Sequence, residues 1–256
     1  MAKITNKGML RDREYVRPKK ILSDNTKVDK EMEGYYGASL RFMSGHIFID
    51  GKRKTTCPKS SEGCRSVCLA TSGHGAFNDA VHNAEYQRTR AYYEDREWFF
   101  GQLYKELSAK YRKAKKMGRE LAVRLNSMSD LPIHRFFNKW MEENQLELDA
   151  KYYDYTKVLA YTKKNKDVHY TFSAAEDNRS DVMEAMALGL NIAVVVRDKS
   201  YDNSYGYNIV DGDITDARFL DPANSIVLLQ GKGEAKSSDS DFIFNNLKDF
   251  ITWLQR

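Results

Sequence analysis

The chain has 256 residues, 41% of them hydrophobic and 30% charged, with a formal net charge of +5. That length supports one large domain or two small ones with a substantial core, and the composition fits a soluble globular protein. No run approaches the eighteen or so apolar residues of a membrane-spanning helix, and the first residues carry no apolar leader segment, so neither a membrane span nor secretion is expected.

Residues 1–35 are polar and charged with little periodicity, and they read as an N-terminal arm ahead of a single α/β domain over 36–256. Leu40–Ile49 reads as one or two short strands ending at the Asp50-Gly51 turn. From Ala76 a period near 3.6, without proline, predicts two helices joined near Asp95 and stopped at Gly118. Short apolar runs then alternate with helical ones. Strands are expected at Leu121–Leu125, Tyr152–Tyr155, Val168–Phe172, Ile192–Val196 and Ile226–Leu229. Helices are expected at Ile133–Gln145, Arg179–Gly189 and Phe242–Gln255, with a short helix or turn at Thr156–Lys166. Tyr201–Tyr207 reads as a polar loop or hairpin tip. This alternation predicts parallel βαβ units with about six or seven strands, either an open sheet or a full or partial (β/α) barrel. The barrel is preferred because polar residues follow nearly every strand.

The three cysteines of the chain lie within twelve residues, Cys57-(x6)-Cys64-(x3)-Cys68. A reducing cytosol disfavours structural disulfides and the number is odd, so a metal centre gains weight. Three thiolates on one loop suit an iron–sulfur cluster with one iron left open. Zinc needs a fourth ligand, for which His74 or His82 are candidates. Unrelated buried thiols are the third reading, and the cluster is preferred.

In parallel α/β folds the carboxyl ends of the strands face the ligand. Here those ends carry Arg124, Asn126 and Asp130; Asp154 and Lys157; Ser173 and Glu176; and Lys232 after the last strand, with Asp211, Asp213 and Asp216 as an acidic knot. Lys157 and Lys232 suit a carboxylate or phosphate, and Asp154 or Asp211 suit proton transfer. Each has a plainer reading as a cap, turn or solvated group, and their recurrence beside the cysteines outweighs any single position. Basic runs at Arg11–Lys20 and Lys105–Arg119 are compatible with nucleic-acid contact, although lysines on a helix more commonly form a wet face.

Taken in order, Cys57-Pro58, Cys64, Cys68, Arg88-Thr89-Arg90, Val123–Asp130, Tyr153–Lys157, Tyr170–Ser173, Asp211-Gly212-Asp213 and Arg218–Pro222 resemble the bacteriophage gene product 88-like family over about residues 50–235. The resemblance implies a phage-encoded protein working in the bacterial host cytoplasm. A looser resemblance is to radical SAM enzymes, in which a three-cysteine loop after the first strand of a partial barrel holds a 4Fe-4S cluster whose free iron binds S-adenosylmethionine. Cys57, Cys64 and Cys68 would take those parts. The spacing departs from the usual three and then two intervening residues. Asn126-Ser-Met-Ser-Asp130 stands where a glycine-rich SAM-binding segment is expected.

These readings give an iron–sulfur enzyme, radical-SAM-like in architecture, acting on a small molecule or nucleotide held by the strand-end residues. The alternative is a zinc- or cluster-stapled protein that binds nucleic acid or a host protein.

Overall fold

The computed structural model describes residues 14–23, 32–71, 78–199 and 201–256. Ala76 and Phe77 of the first expected helix, and His74, lie outside them. Seven strands form one sheet: β1 (Tyr35–Ser39), β4 (Glu120–Arg124), β5 (Lys151–Thr156), β6 (Val168–Ser173), β7 (Ile192–Val196), β8 (Asn208–Asp211) and β9 (Ser225–Gln230). Their order is β1-β4-β5-β6-β7-β9-β8, and every neighbouring pair is parallel. β1 and β8 are the edges, so the sheet is open and not a closed barrel. A separate hairpin, β2 (His46–Ile49) with β3 (Lys52–Thr55), turns through Asp50 and Gly51, both at positive φ as a tight hairpin turn requires.

Seven α-helices are described: α1 (Glu62–Ser66), α2 (Asp79–Glu94), α3 (Arg96–Lys116), α4 (Ile133–Glu143), α5 (Leu159–Lys164), α6 (Arg179–Ala187) and α7 (Leu247–Gln255). None is long and apolar enough to cross a membrane. From β1 to β7 the strands advance in one direction. Parallel crossovers are almost always right-handed, so a constant direction puts the connecting helices on one face. Side chains that alternate along the strands meet them there. Tyr36, Leu121, Val123, Tyr152 and Tyr170 pack with α2, α3 and α4, while Phe172, Ile192, Val194, Ile226 and Leu228 pack with α6 and α7.

The last step reverses direction, because β8 lies outside β9. The same handedness rule then sends the β8–β9 connection across the opposite face. There Ala217 and Phe219 pack on Ala122, Tyr153 and Tyr35. This crossover carries Asp216 and Arg218 over the face that the helices leave open.

Several local features differ from those expected. The first strand is Tyr35–Ser39 and not a segment beginning at Leu40, because the backbone of 35–39 pairs with β4 residue for residue. Asn208–Asp211 is an edge strand with a single neighbour, and its polar composition hides it. The last helix begins at Leu247 after an Asn246 cap. The preceding Phe244 instead pairs with the β7 backbone: its N–H donates to the Val195 carbonyl, and its own carbonyl accepts from the Arg197 N–H. The described part of the charged arm is fastened to the helices. Ile21 and Leu22 are buried, their N–H groups donate to the Glu106 carboxylate of α3 at 2.7 and 2.8 Å, and the Ser23 N–H donates to the Ser39 carbonyl.

Asp95 separates α2 from α3, and the aromatic knot at that junction seals the helices to the sheet. Phe99 is fully buried against Phe42, Tyr92 and Phe100. Phe99→Ala is expected to cost about 3–5 kcal/mol. The urea midpoint should fall with an unchanged denaturant slope.

Candidate active site

The cysteine loop follows β3 directly and is held at several points. Thr56 is fully buried and donates to the Met43 carbonyl at 2.7 Å, and its own carbonyl accepts the Asp130 N–H at 2.7 Å. Ser61 caps α1: its hydroxyl accepts from the Cys64 N–H at 3.0 Å and donates to Glu176 Oε2 at 2.8 Å. Glu176 Oε1 accepts the Gly63 N–H, also at 2.8 Å. A β-carbon at Gly63 would lie 2.5 Å from that oxygen and 2.8 Å from Ser240 Oγ, so only glycine lets the carboxylate approach. One carboxylate from the start of the β6–α6 segment thus fixes the helix that presents Cys64.

All three cysteines line a cavity of about 470 Å³ at the carboxyl ends of the parallel strands. The cavity also reaches Arg124, Asn126, Asp130, Lys157, Ser173, Asp213 and Lys232. Two of the expected residues are placed elsewhere. Glu176 is committed to the loop as described. Asp154 is fully buried among the helices, where it accepts from Asn126 at 3.1 Å and from His134 at 2.9 Å. His134, which carried no pattern in the sequence, is the buried partner that orients this carboxylate.

The wall residues differ in how far they are committed. Asn126 is engaged on both amide atoms, accepting from Ser129 and from the Leu131 N–H and donating to the Leu131 carbonyl, and so shapes the loop after β4. The Arg124 guanidinium donates to Asp216 at 2.8 Å, stands 3.6 Å from Asp154 and lies 4.6 Å over the Tyr155 ring. Asp213 is bound by both Lys199 and Lys232 at 2.6 Å. Burial works to raise its pKa, but the hydrogen bonds from these two lysines prevail and hold the carboxyl below the usual range. Asp211 is taken by Lys199 and Tyr201. Asp130 accepts from the Thr156 hydroxyl at 2.7 Å and the Lys157 N–H at 2.8 Å, and burial pushes it up to about 6 despite these bonds.

Burial also dominates at the thiols. Cys57 is pushed up to about 11, against hydrogen bonds from the Gly45 N–H and Thr56. Cys64 is raised too, chiefly by burial and against the nearby positive charge of Lys157, which favours the thiolate. The Cys68 thiol donates to Ser44 at 3.4 Å. Among the described residues no group of three or more His, Cys, Asp or Glu side chains stands in a metal-holding arrangement. His82 does not line the cavity and faces Glu85 across 3.9 Å.

Arg41, Asp216, Tyr155 and Phe242 also line the cavity. Asp216 belongs to the acidic knot, but nothing near it in sequence points to Arg124, which is 92 positions away. Arg41 sits in a segment expected to be strand, and Phe242 in one expected to be helix.

The chain matches the family described as Gene product 88 over residues 18–246. No curated protein and no solved structure matches it.

Two outcomes follow from this geometry. Glu176→Ala should leave the chain folded while releasing the cysteine loop, so that iodoacetamide labels Cys64 several-fold faster, read by mass spectrometry of the peptide. For Asp130, the folded pKa of about 6 lies above the ordinary value of 3.8. Its stabilising contribution is therefore fully present below about pH 4 and is lost as pH rises through 6. In urea titrations, Asp130→Asn should flatten the stability profile across that window by about 3 kcal/mol.

Proposed function

We propose, for a chain that belongs to the gene product 88 family, that the cavity is the active site of an iron–sulfur enzyme. In this reading Cys57, Cys64 and Cys68 hold a 4Fe-4S cluster with one iron open, and the wall residues bind the substrate. The open sheet, whose strands advance in one direction from β1 to β7, is read as a partial (β/α) barrel of radical-SAM-like architecture. The protein works in the host cytoplasm during phage infection. The observation that carries the proposal is the convergence of three thiols from one loop on a single cavity at the strand ends, which is where parallel α/β enzymes bind substrates.

The donor set fits such a group: three soft thiolate ligands and, in the cavity wall, charged and hydrogen-bonding side chains for a bound molecule. Among the described residues the thiols do not stand in a metal-holding arrangement, so holding the cluster would require their side chains to close together while Glu176 keeps α1 in place. Once bound, the cluster would supply one-electron chemistry or Lewis acidity at its open iron. The chain's own residues have separate tasks. Lys157 places positive charge beside Cys64, which favours the thiolate that a metal requires. Asp130 can hold or release a proton at its carboxyl near neutral pH, within the cavity and beside Thr156. Arg124, fixed by Asp216, presents one rigid cation to the same space. S-adenosylmethionine stays a candidate co-substrate of this site.

The second reading is a zinc- or cluster-stapled binder of nucleic acid or a host protein. It draws on the basic residues of α3, two of which, Lys110 and Lys113, lie 5.0 and 5.1 Å from the Tyr36 ring. Arg17, from the other basic run, pairs with Asp95 at 2.6 Å.

Anaerobic purification separates the two. Brown protein with broad absorption near roughly 400 nm, and about four irons and four sulfides per chain, is expected. Cys57→Ala, Cys64→Ala and Cys68→Ala should each lose most of that iron. Colourless protein with one zinc per chain would replace this reading by the stapled binder, and protein that takes up neither metal would end both.

A further inference from the structure

The cations that line the cavity are Arg41, Arg124, Lys157 and Lys232. Three of them are already neutralised. Arg41 pairs with Glu85, which is 2% exposed, Arg124 with Asp216, and Lys232 with Asp213. Lys157 differs. Among the described residues no carboxylate lies within ion-pair distance of its ammonium, which instead faces the Cys64 thiol and lies 5.2 Å from the Phe242 ring. Asp130 is adjacent, but its two oxygens take the Lys157 N–H and the Thr156 hydroxyl. Lys157 is half-buried at the cavity wall, and although the Asp130 charge acts on it, no described carboxylate is in contact with its ammonium, so an anionic ligand can pair with it directly.

The space next to this ammonium is apolar. Ala193 and Val195 of β7, Leu229 of β9, and Phe242 line the same cavity. They lie on the sheet face away from the helices. Gly212 packs so closely beneath this wall that a β-carbon there would sit 2.6 Å from both Leu229 and Val227. The cavity thus has one unspent positive charge at the cysteine side and a hydrocarbon floor beyond it.

We infer that this cavity binds a small organic acid, with a carboxylate or phosphate seated on Lys157 and a planar or apolar body lying over Val195, Leu229 and Phe242. The inference rests on the reading of this cavity as a substrate site, and it does not need the cluster to be present. The acid group would lie beside Cys64, so the ligand would reach the open position of a centre held by the three cysteines. Arg124 and Lys232 would not be its anchors, because their carboxylate partners already hold them.

The test uses the full-length protein and three probes with one ring system: 1-naphthoate, 1-naphthyl phosphate and the neutral 1-naphthamide, titrated by calorimetry. Each acid should bind at one site per chain, about tenfold or more tighter than the amide. Whichever acid binds more tightly distinguishes a carboxylate from a phosphate ligand. Lys157→Met should weaken the acids about tenfold and leave the amide within twofold. Lys157→Arg should keep most of the acid affinity, and Lys166→Met, outside this cavity, should change nothing. Equal affinity for acid and amide, or an acid preference that survives Lys157→Met, overturns the inference. Should Lys157→Met fail to fold, the lysines can be dimethylated with 13C-formaldehyde and the Lys157 resonance assigned by its absence in Lys157→Arg. It should shift with naphthoate and not with naphthamide, and a resonance indifferent to the acid is equally fatal. Iron content measured on the same samples keeps the two claims apart: acid binding in protein that never takes up iron refutes the cluster alone, and loaded protein indifferent to acids refutes the anion site alone.

Discussion

The pairing of Arg124 with Asp216 depends on the direction in which the strands advance. Arg124 ends β4 on the face away from the helices, a position where a guanidinium without a partner would be expensive to bury. Its partner arrives on the β8–β9 connection, which crosses that face only because β8 is added outside β9 and the progression turns back. Right-handed crossover geometry does the rest. The crossover also sets Ala217 and Phe219 on Ala122 and Tyr153, so one reversal supplies both the apolar cover and the counter-ion. It divides the open face into a packed part under β1, β4 and β5 and a hollow part under β7 and β9, and the hollow part becomes the cavity.

A second constraint acts from the other side. The cysteine loop has no regular structure beyond the short helix α1, and its place is set by hydrogen bonds to distant segments. Glu176 reaches Ser61 and Gly63 across more than a hundred positions, and Thr56 ties the loop to Met43 and Asp130. These contacts fall just before Cys57 and between Cys57 and Cys64. The backbone beside the thiols is thus anchored by strong oxygen and nitrogen hydrogen bonds, while the sulfurs themselves make longer contacts, Cys57 with Gly45 and Thr56 and Cys68 with Ser44. The raised pKa values of Cys57 and Cys64 show the cost of that placement: the thiolate form is disfavoured until positive charge arrives. Lys157 beside Cys64 is the nearest such charge in the chain itself.

Legibility in the sequence followed how local each signal was. Ile192–Val196, five apolar residues, could only be a buried strand. The break at Asp95 between two long aromatic-striped helices was equally plain, and the three clustered cysteines marked the site. β1 was hidden because Gly37, Ala38 and Ser39 are small and its hydrogen bonds come from a strand eighty residues later. β8 was hidden because an edge strand with one neighbour needs little hydrophobicity. Phe242–Asn246 carries a helical pattern, yet its backbone satisfies the exposed end of β7. Asp154 and Glu176 read as site residues because carboxylates at strand ends commonly are. Burial of the first beside His134 and capture of the second by Ser61 and Gly63 gave them other work.

The order of residues along the chain was enough to establish parallel α/β architecture, the loop that carries the thiols, and most of the polar groups that meet it, since these arise from hydrophobic period, turn chemistry and the side chains available near each strand end. Which charges are spent and which remain open was settled only when the sheet was assembled. Ion pairs such as Arg124 with Asp216, Lys232 with Asp213 and Arg41 with Glu85 join segments from 19 to 92 positions apart. Coulomb energy depends on distance in space and on local burial, and neither can be read from separation along the chain.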